Sequence, residues 1–249
     1  MSKLFCISDV HGFYDEMIEA LDEANFNPEK DFLICLGDTT DRGSKNLKVI
    51  KYLKNLPNKV LISGNHEDLV LQCCARGYWE PHDISNGTMD TIYELGCRNN
   101  LKSFSECCVA AGQIVKPFFN SMVNYFESEH YIFVHSFIPL ISKDGLPMYY
   151  TKDRDFVFNP NWRYAHASDW EEAKWGNPFD LAERGFLPNK TIVFGHWGTE
   201  HKWAEIEGRK AYNKDAHFEP YYGDGYIGID ATTAYSHKVN VLVLEDNFI

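Results

Sequence analysis

Asp9 and His11 stand two residues apart in Ser8-Asp9-Val10-His11-Gly12; Asp38 opens Asp38-Thr39-Thr40-Asp41-Arg42-Gly43; Asn65 and His66 lie in Gly64-Asn65-His66-Glu67. Each run follows an apolar stretch that reads as a strand, and Tyr131-Ile132-Phe133-Val134 and Thr191-Ile192-Val193-Phe194-Gly195 lead likewise into His135 and His196. Oxygen and imidazole donors at five strand ends suit two divalent metals. Such a pair, about 3.5–4 Å apart, clamps a phosphoryl group and lowers the pKa of a bridging water, which attacks phosphorus in line. Asp38 is the candidate bridging carboxylate, because it directly follows a strand and a glycine, where the backbone can turn its side chain inward. Asp9 and His11, two apart on an extended segment, point the same way and with Asp38 would hold one metal. Asn65, His135 and His196 would hold the second. This donor mixture suits Mn, Fe or Zn better than Ca. Taken singly, an Asp after a strand more often caps a helix and a lone His more often makes a structural hydrogen bond. The common position after strands reverses that. His82, His130, His166, His201, His217 and His237 lack it and read as structural or surface residues.

The elements that must position these donors follow from the hydrophobic pattern. Leu4 to Ser8, Phe32 to Leu36 and Val60 to Ser63 read as strands, with helices over Tyr14 to Ala24 and Leu47 to Leu56 between them. This β-α-β-α-β half belongs to a layered α/β fold. Later strands are expected at Tyr131 to Val134, Thr191 to Phe194, Tyr226 to Ile229 and Val239 to Leu244, continuous apolar runs suited to burial between layers. Between His66 and Tyr131 helical patterns take over, including one helix within Val109 to Phe126, which predicts a helical insertion over about residues 68–128. Its loop from Trp79 to Thr91, with Asn86-Gly87-Thr88, reads as a wall of the site or as a plain connector. Pro147 to Pro188 reads as one long irregular segment, a kind of loop that tends to be functional.

The 249 residues suffice for a single domain with a sizeable core, and 44% apolar with 24% charged residues exclude a disordered chain. A net charge of -12 excludes a general nucleic-acid surface, which needs clustered Lys and Arg. No apolar run nears the roughly 20 residues of a membrane span, and the first residues enter a strand with no signal-peptide pattern, so the expected location is the cytoplasm, with no membrane partner. Seven cysteines without C-x-x-C spacing read as reduced thiols.

Ser8-Asp9-Val10-His11-Gly12, Gly37-Asp38 through Asp41-Arg42-Gly43, and Gly64-Asn65-His66-Glu67 together resemble the signature of the metallophosphoesterase superfamily, and within it the phosphoprotein-phosphatase branch of bacterial and phage serine/threonine phosphatases. Ser8 replaces the usual glycine of the first motif. The resemblance covers the first third closely and returns at Val134-His135 and Phe194-Gly195-His196. It implies a mixed α/β (α+β) fold: a central β-sandwich flanked by helices, with a dinuclear metal centre, Mn or alternatively Fe or Zn, on the strand-end loops. It also implies that His66 is the general acid, Asp41 its orienting carboxylate, and Arg42 a phosphate-binding residue. A His paired with a carboxylate is held in one tautomer and kept partly protonated near neutrality, and a planar guanidinium grips phosphate oxygens. Glu67 reads equally as a residue orienting the site or as an exposed first-turn helix carboxylate.

The implied enzyme is a metal-dependent phosphatase hydrolysing phosphomonoesters of proteins or small molecules by direct attack of metal-bridging hydroxide. The alternative is a dinucleoside polyphosphate hydrolase or another nucleotide phosphoesterase, a branch usually carrying Gly-Asn-His-Asp where this chain has Glu67. A third is a non-catalytic phosphate-binding module, against which the full donor set argues. Where the family commonly has Trp-x-Arg, this chain has Trp175-Gly176-Asn177, so Asn177, or one of Arg154, Arg163 and Arg184, would complete the grip on phosphate. The aromatic residues Trp197, Trp203, Tyr212, Tyr221, Tyr222 and Tyr226 could stack a nucleobase or simply fill the core.

Overall fold

Alternation along the strands builds the molecule. In β1 (Leu4–Ile7), Leu4 and Cys6 point to one side and Phe5 and Ile7 to the other, and all four are fully buried. The computed structural model describes residues 3–97, 103–143 and 155–245. In it β1 lies parallel to β2 (Phe32–Cys35), β2 parallel to β3 (Lys59–Leu61), and β11 (Leu242–Leu244) pairs antiparallel with β1 in the register Leu4↔Leu244. A second, five-stranded sheet runs in the order β4 (Tyr125–Glu127), β5 (Tyr131–Val134), β8 (Thr191–Phe194), β10 (Tyr226–Gly228), β9 (Tyr221–Gly223). Its three central strands are parallel and its two edge strands antiparallel. β6 (Ile141–Ser142) and β7 (Phe156–Val157) form a small separate pair.

The inner faces meet in a core of Leu4, Cys6, Ile34, Leu36, Phe133, Val193, Ile227 and Leu242, so the expected β-sandwich is present. The opposite face of the first sheet packs against α1 (Tyr14–Glu23), α2 (Asn46–Asn55), α3 (Asn65–Arg76), α5 (Thr88–Gly96) and α6 (Phe104–Phe119), through residues such as Met17, Val49, Val70, Ile92 and Val115, with the short α4 (Pro81–Asn86) between α3 and α5. The outer face of the second sheet is covered by α7 (Ala167–Ala173) and α8 (Pro178–Glu183), with Trp162, Trp170 and Phe179 against Ile132, Ile192 and Phe194. Both parallel sets present their carboxyl ends to one rim, where open α/β sheets bind ligands.

Some expectations need correction. α6 starts at Phe104 and ends at Phe119, not within Val109 to Phe126. Ser103 caps it by accepting from the Glu106 N–H while the Glu106 side chain accepts from the Ser103 N–H, and Pro117 precedes its end by one turn or less. Tyr125 and Phe126 belong to β4. The stretch expected to be irregular carries α7 and α8, each too short to show helical periodicity; its residues 147–154 lie outside the described residues. Cys97 and Cys107 form a disulfide between the end of α5 and α6, whereas Cys6, Cys35, Cys73, Cys74 and Cys108 are free thiols. Among the described residues no helix is long and apolar enough to cross a membrane.

Candidate active site

The strand ends turn sharply into the rim. Asp9, His11, Asp38, Asp41, Arg42, His196 and Thr232 all have left-handed backbone angles, with φ between 49° and 76°. Non-glycine residues avoid that region, and strain of about 1–3 kcal/mol each persists only where surrounding structure enforces it, commonly at functional sites. Two glycines make room. A side chain on Gly64 would collide with the Asp38 carboxylate, and one on Gly195 with Asp9 and Ser8.

Backbone and side-chain partners set the tautomer of each imidazole. His11 Nδ1 donates to the Thr40 carbonyl at 3.0 Å and His135 Nδ1 to the Leu36 carbonyl at 2.8 Å, which leaves both Nε2 atoms as lone pairs facing the rim. The His196 ring is likewise held by the Trp175 backbone. His135 Nε2 then faces Asn65 Oδ1 at 2.9 Å, His196 Nδ1 at 3.2 Å and Asp38 Oδ1 at 3.5 Å. Four acceptor atoms without a hydrogen to share are what a cation requires. Among the described residues two groups of side chains are tight enough to hold a metal ion, His11, Asp38 and His66, and Asp38, His135 and His196. Asp38 belongs to both. Asp9 lies beside the first group, with Oδ1 4.0 Å from His11 Nε2, while its Oδ2 accepts from the His196 N–H at 2.9 Å and so ties β1 to β8.

The electrostatics agree with a cation-binding centre. Burial opposes ionisation of Asp38, but the surrounding imidazoles of His135, His66, His11 and His196 outweigh it and hold the carboxyl far below its ordinary range. Asp9 is pushed up by burial and then by Asp230 and Asp38, a crowding of carboxylates that a divalent cation would relieve. Burial foremost lowers the pKa of His11 and His135 and brings that of His196 down to about 3, which favours the neutral ring, the state in which imidazole ligates.

His66 differs. Its Nδ1 donates to Asp41 Oδ2 at 2.8 Å, and although burial favours the neutral ring, Asp38 and Asp41 raise its pKa. Arg42 reaches in from an exposed position and donates through Nη1 to His11 Nε2 at 2.9 Å and through Nη2 to His66 Nε2 at 3.2 Å. Glu67 is not an exposed helix carboxylate. It is fully buried and accepts from the N–H groups of Asp38 at 2.9 Å, Thr39 at 2.8 Å and Gly64 at 2.7 Å and from the Thr39 hydroxyl at 2.8 Å, which locks the β2 and β3 loops together. All nine expected site residues therefore meet at one rim.

Other expectations move. Asn177 caps α8, its Oδ1 accepting from the Phe179 and Asp180 N–H groups at 3.1 and 3.4 Å, and is no phosphate grip. Arg163 is clamped bidentately by Glu127 at 2.7 and 2.8 Å, Arg184 pairs with Asp180 and lies over Phe186, and Arg154 falls outside the described residues. Lys174 is the buried cation nearest in sequence to that motif, and it is held by Asp68 at 2.7 Å and Ser63 at 3.0 Å. Of the aromatic residues, Trp197 lies by His196 with ring centres 6.3 Å apart, whereas Tyr226 is core and Trp203 stacks on His217. Asp230 was not anticipated. It follows β10 as the other donors follow their strands, is 5% exposed, and burial lifts it to about 6.

Comparison with known proteins agrees with this geometry. A symmetrical bis(5'-nucleosyl)-tetraphosphatase of Buchnera aphidicola is 36% identical over 110 residues, 41% of this chain and 40% of the relative. One from Salmonella paratyphi B is 45% identical over 64 residues, 25% of this chain and 23% of its own. The chain thus spans two fifths or less of the length of these curated relatives. A solved candidate diadenosine tetraphosphatase superposes with TM-score 0.56 at 15% identity, covering 98% of this chain and 89% of that one. A cold-active protein-tyrosine phosphatase of a Shewanella species gives 0.60 at 17% identity, covering 99% and 76%. Both share the fold. With residues 2–243 matching the calcineurin-like phosphoesterase family model and a carboxylate shared between two groups of side chains that could hold metal ions at the rim of a β-sandwich, this chain belongs to the calcineurin-like phosphoesterases.

Proposed function

We propose that the chain hydrolyses dinucleoside polyphosphates, splitting a phosphoanhydride bond with water to give two nucleotides. The observation that carries the hydrolytic part is Asp38, shared by two metal-binding groups. The substrate class rests on the relatives, which are named as symmetrical bis(5'-nucleosyl)-tetraphosphatases. That favours the alternative reading over the serine/threonine phosphatase first expected. Glu67 does not separate the two branches, because its side chain serves the loops and not the substrate.

In this reading Asp9, His11 and Asp38 would hold one divalent cation and Asp38, Asn65, His135 and His196 the other, and such a pair, when bound, would supply charge neutralisation of phosphoryl oxygens and activation of water. His66 is read as the acid and not as a ligand because, alone of the four imidazoles at the rim, its pKa is raised against burial, by Asp38 and by Asp41, which accepts its Nδ1–H. Its ring is protonable and delivers a proton from Nε2 to the leaving oxygen. Arg42, exposed and already reaching both rings, turns its planar fork to the phosphate oxygens. Among the described residues Arg163 and Arg184 are engaged elsewhere and Asn177 caps a helix, which supports an internal phosphate with one charge over a dianionic monoester end.

The test compares diadenosine tetraphosphate, a phosphoserine peptide and p-nitrophenyl phosphate with Mn present. The expected result is ADP as product, at a kcat/KM at least about tenfold above that for the peptide. A peptide preference would reinstate the protein-phosphatase reading.

A further inference from the structure

We propose that Thr88 and Thr91 of α5 are positioning residues for proton transfer by His66, a role that rests on the reading of His66 as the acid. Both threonines are fully buried. The Thr88 hydroxyl donates to Asp41 Oδ2 at 2.6 Å, the same oxygen that accepts the His66 Nδ1–H at 2.8 Å, and the Thr91 hydroxyl donates to Oδ1 at 2.7 Å. Thr91 also lies 3.3 Å from the Gly87 carbonyl, but its single proton goes to the closer carboxylate. The Asp41 N–H donates to Asn46 Oδ1 at 3.0 Å, and Asn46 in turn is held by Glu94, which accepts from its N–H at 2.9 Å and its side chain at 2.6 Å.

Thr88, Thr91 and Glu94 recur every three residues and so share one face of α5. That face carries no apolar residue into the core at these positions; it grips the loop after β2 and the start of α2. Gly87, at φ 83°, has no side chain to keep α5 from the backbone of Arg42. The helical segment is therefore more than a connector. It fixes the plane of the Asp41 carboxylate, and through it the direction in which His66 Nε2 faces. A carboxylate in a buried site with two hydroxyl donors removed would rotate to find others, and the imidazole it holds would turn with it.

The experiment separates this from a purely structural role. Thr88→Val/Thr91→Val and Thr88→Ser/Thr91→Ser are assayed on phenyl phosphate, a poor leaving group, and on 2,4-dinitrophenyl phosphate, a good one, with metal content measured and His66→Asn run in parallel. Thr88→Val alone serves if the double valine variant does not fold. The expected result is a kcat loss of about 10–10² on phenyl phosphate for the valine variant, part of the span of general acid catalysis, with little loss on the activated ester, unchanged metal content and recovery in the serine variant. An equal loss on both esters, no loss, or no recovery with serine overturns the proposal alone, provided that His66→Asn still discriminates between the esters. If His66→Asn itself loses equally on both, the acid reading falls and this proposal with it.

Discussion

Glu67→Gln is the substitution whose cost can be worked out most directly. The carboxylate gathers four donors: Oε2 takes the Asp38 and Gly64 N–H groups, and Oε1 takes the Thr39 N–H and hydroxyl. Glutamine keeps the shape but places an NH₂ where one oxygen was. At the Oε2 position it would face two N–H groups. At the Oε1 position the Thr39 hydroxyl turns to accept and a single N–H, that of Thr39, is left opposed. The second arrangement is cheaper. One unmade buried bond costs about 1–3 kcal/mol, and weakening two charge-assisted bonds to neutral ones takes roughly 1 kcal/mol each. Relief of repulsion with Asp38, which together with burial raises the Glu67 carboxyl, returns part of this. The net loss is about 2–4 kcal/mol, or a fall in Tm of about 5–15 °C for a chain of this size. Because the clamp holds the strained Asp38 turn, Mn affinity and kcat on p-nitrophenyl phosphate should fall too. Thermal unfolding with and without Mn, metal analysis and the assay read all three. A variant that melts within about 2 °C of the parent and keeps full activity would refute the clamp.

Two further predictions follow from the same geometry. Asp38→Asn should abolish paired metal occupancy and activity together, because a neutral amide bridges two cations poorly; two metals per chain retained in that variant would count against the shared ligand. Glu200 is fully buried and takes the Arg209 guanidinium and the N–H groups of Tyr212 at 2.8 Å and His217 at 3.0 Å, with Arg209 foremost in lowering its carboxyl from 4.5 to about 2. A depressed folded-state pKa stabilises fully above the unfolded value and loses that contribution as pH falls from about 4.5 to 2. Glu200→Gln should therefore lower Tm at pH 7 and flatten its decline over that window; parallel Tm curves would refute it.

The donor runs were legible because a parallel strand delivers its next residues to one rim whatever the rest of the chain does, and Asp9, Asp38, Asn65, His135 and His196 all obey that. Asp230 obeys it too, but one carboxylate after one short strand carries no motif. Thr88 and Thr91 were beyond reach: hydroxyls on a helix signal nothing until packing sets that helix against Asp41. Asn177 misled because position relative to a tryptophan suggested phosphate, while the Pro178 that follows it marks a helix start, the stronger local signal. The Cys97–Cys107 pair, ten residues apart, becomes a bond only once α5 and α6 lie side by side.

The pairing of Leu4 with Leu244 has a consequence for how the chain comes into being. β1 is wholly apolar, and β11 covers the edge not taken by β2. During synthesis, β1, β2 and β3 emerge with every donor of the first metal group, yet the flank of β1 stays open until residues 242–244 leave the ribosome. An open apolar edge recruits strands from other chains, and a pairing that spans almost the whole sequence forms late. Nascent or truncated chains that end before β11 would carry the most recognisable part of the active centre on a sticky, unfinished sheet, so their yield would be governed by chaperone capture and proteolysis before chemistry could matter.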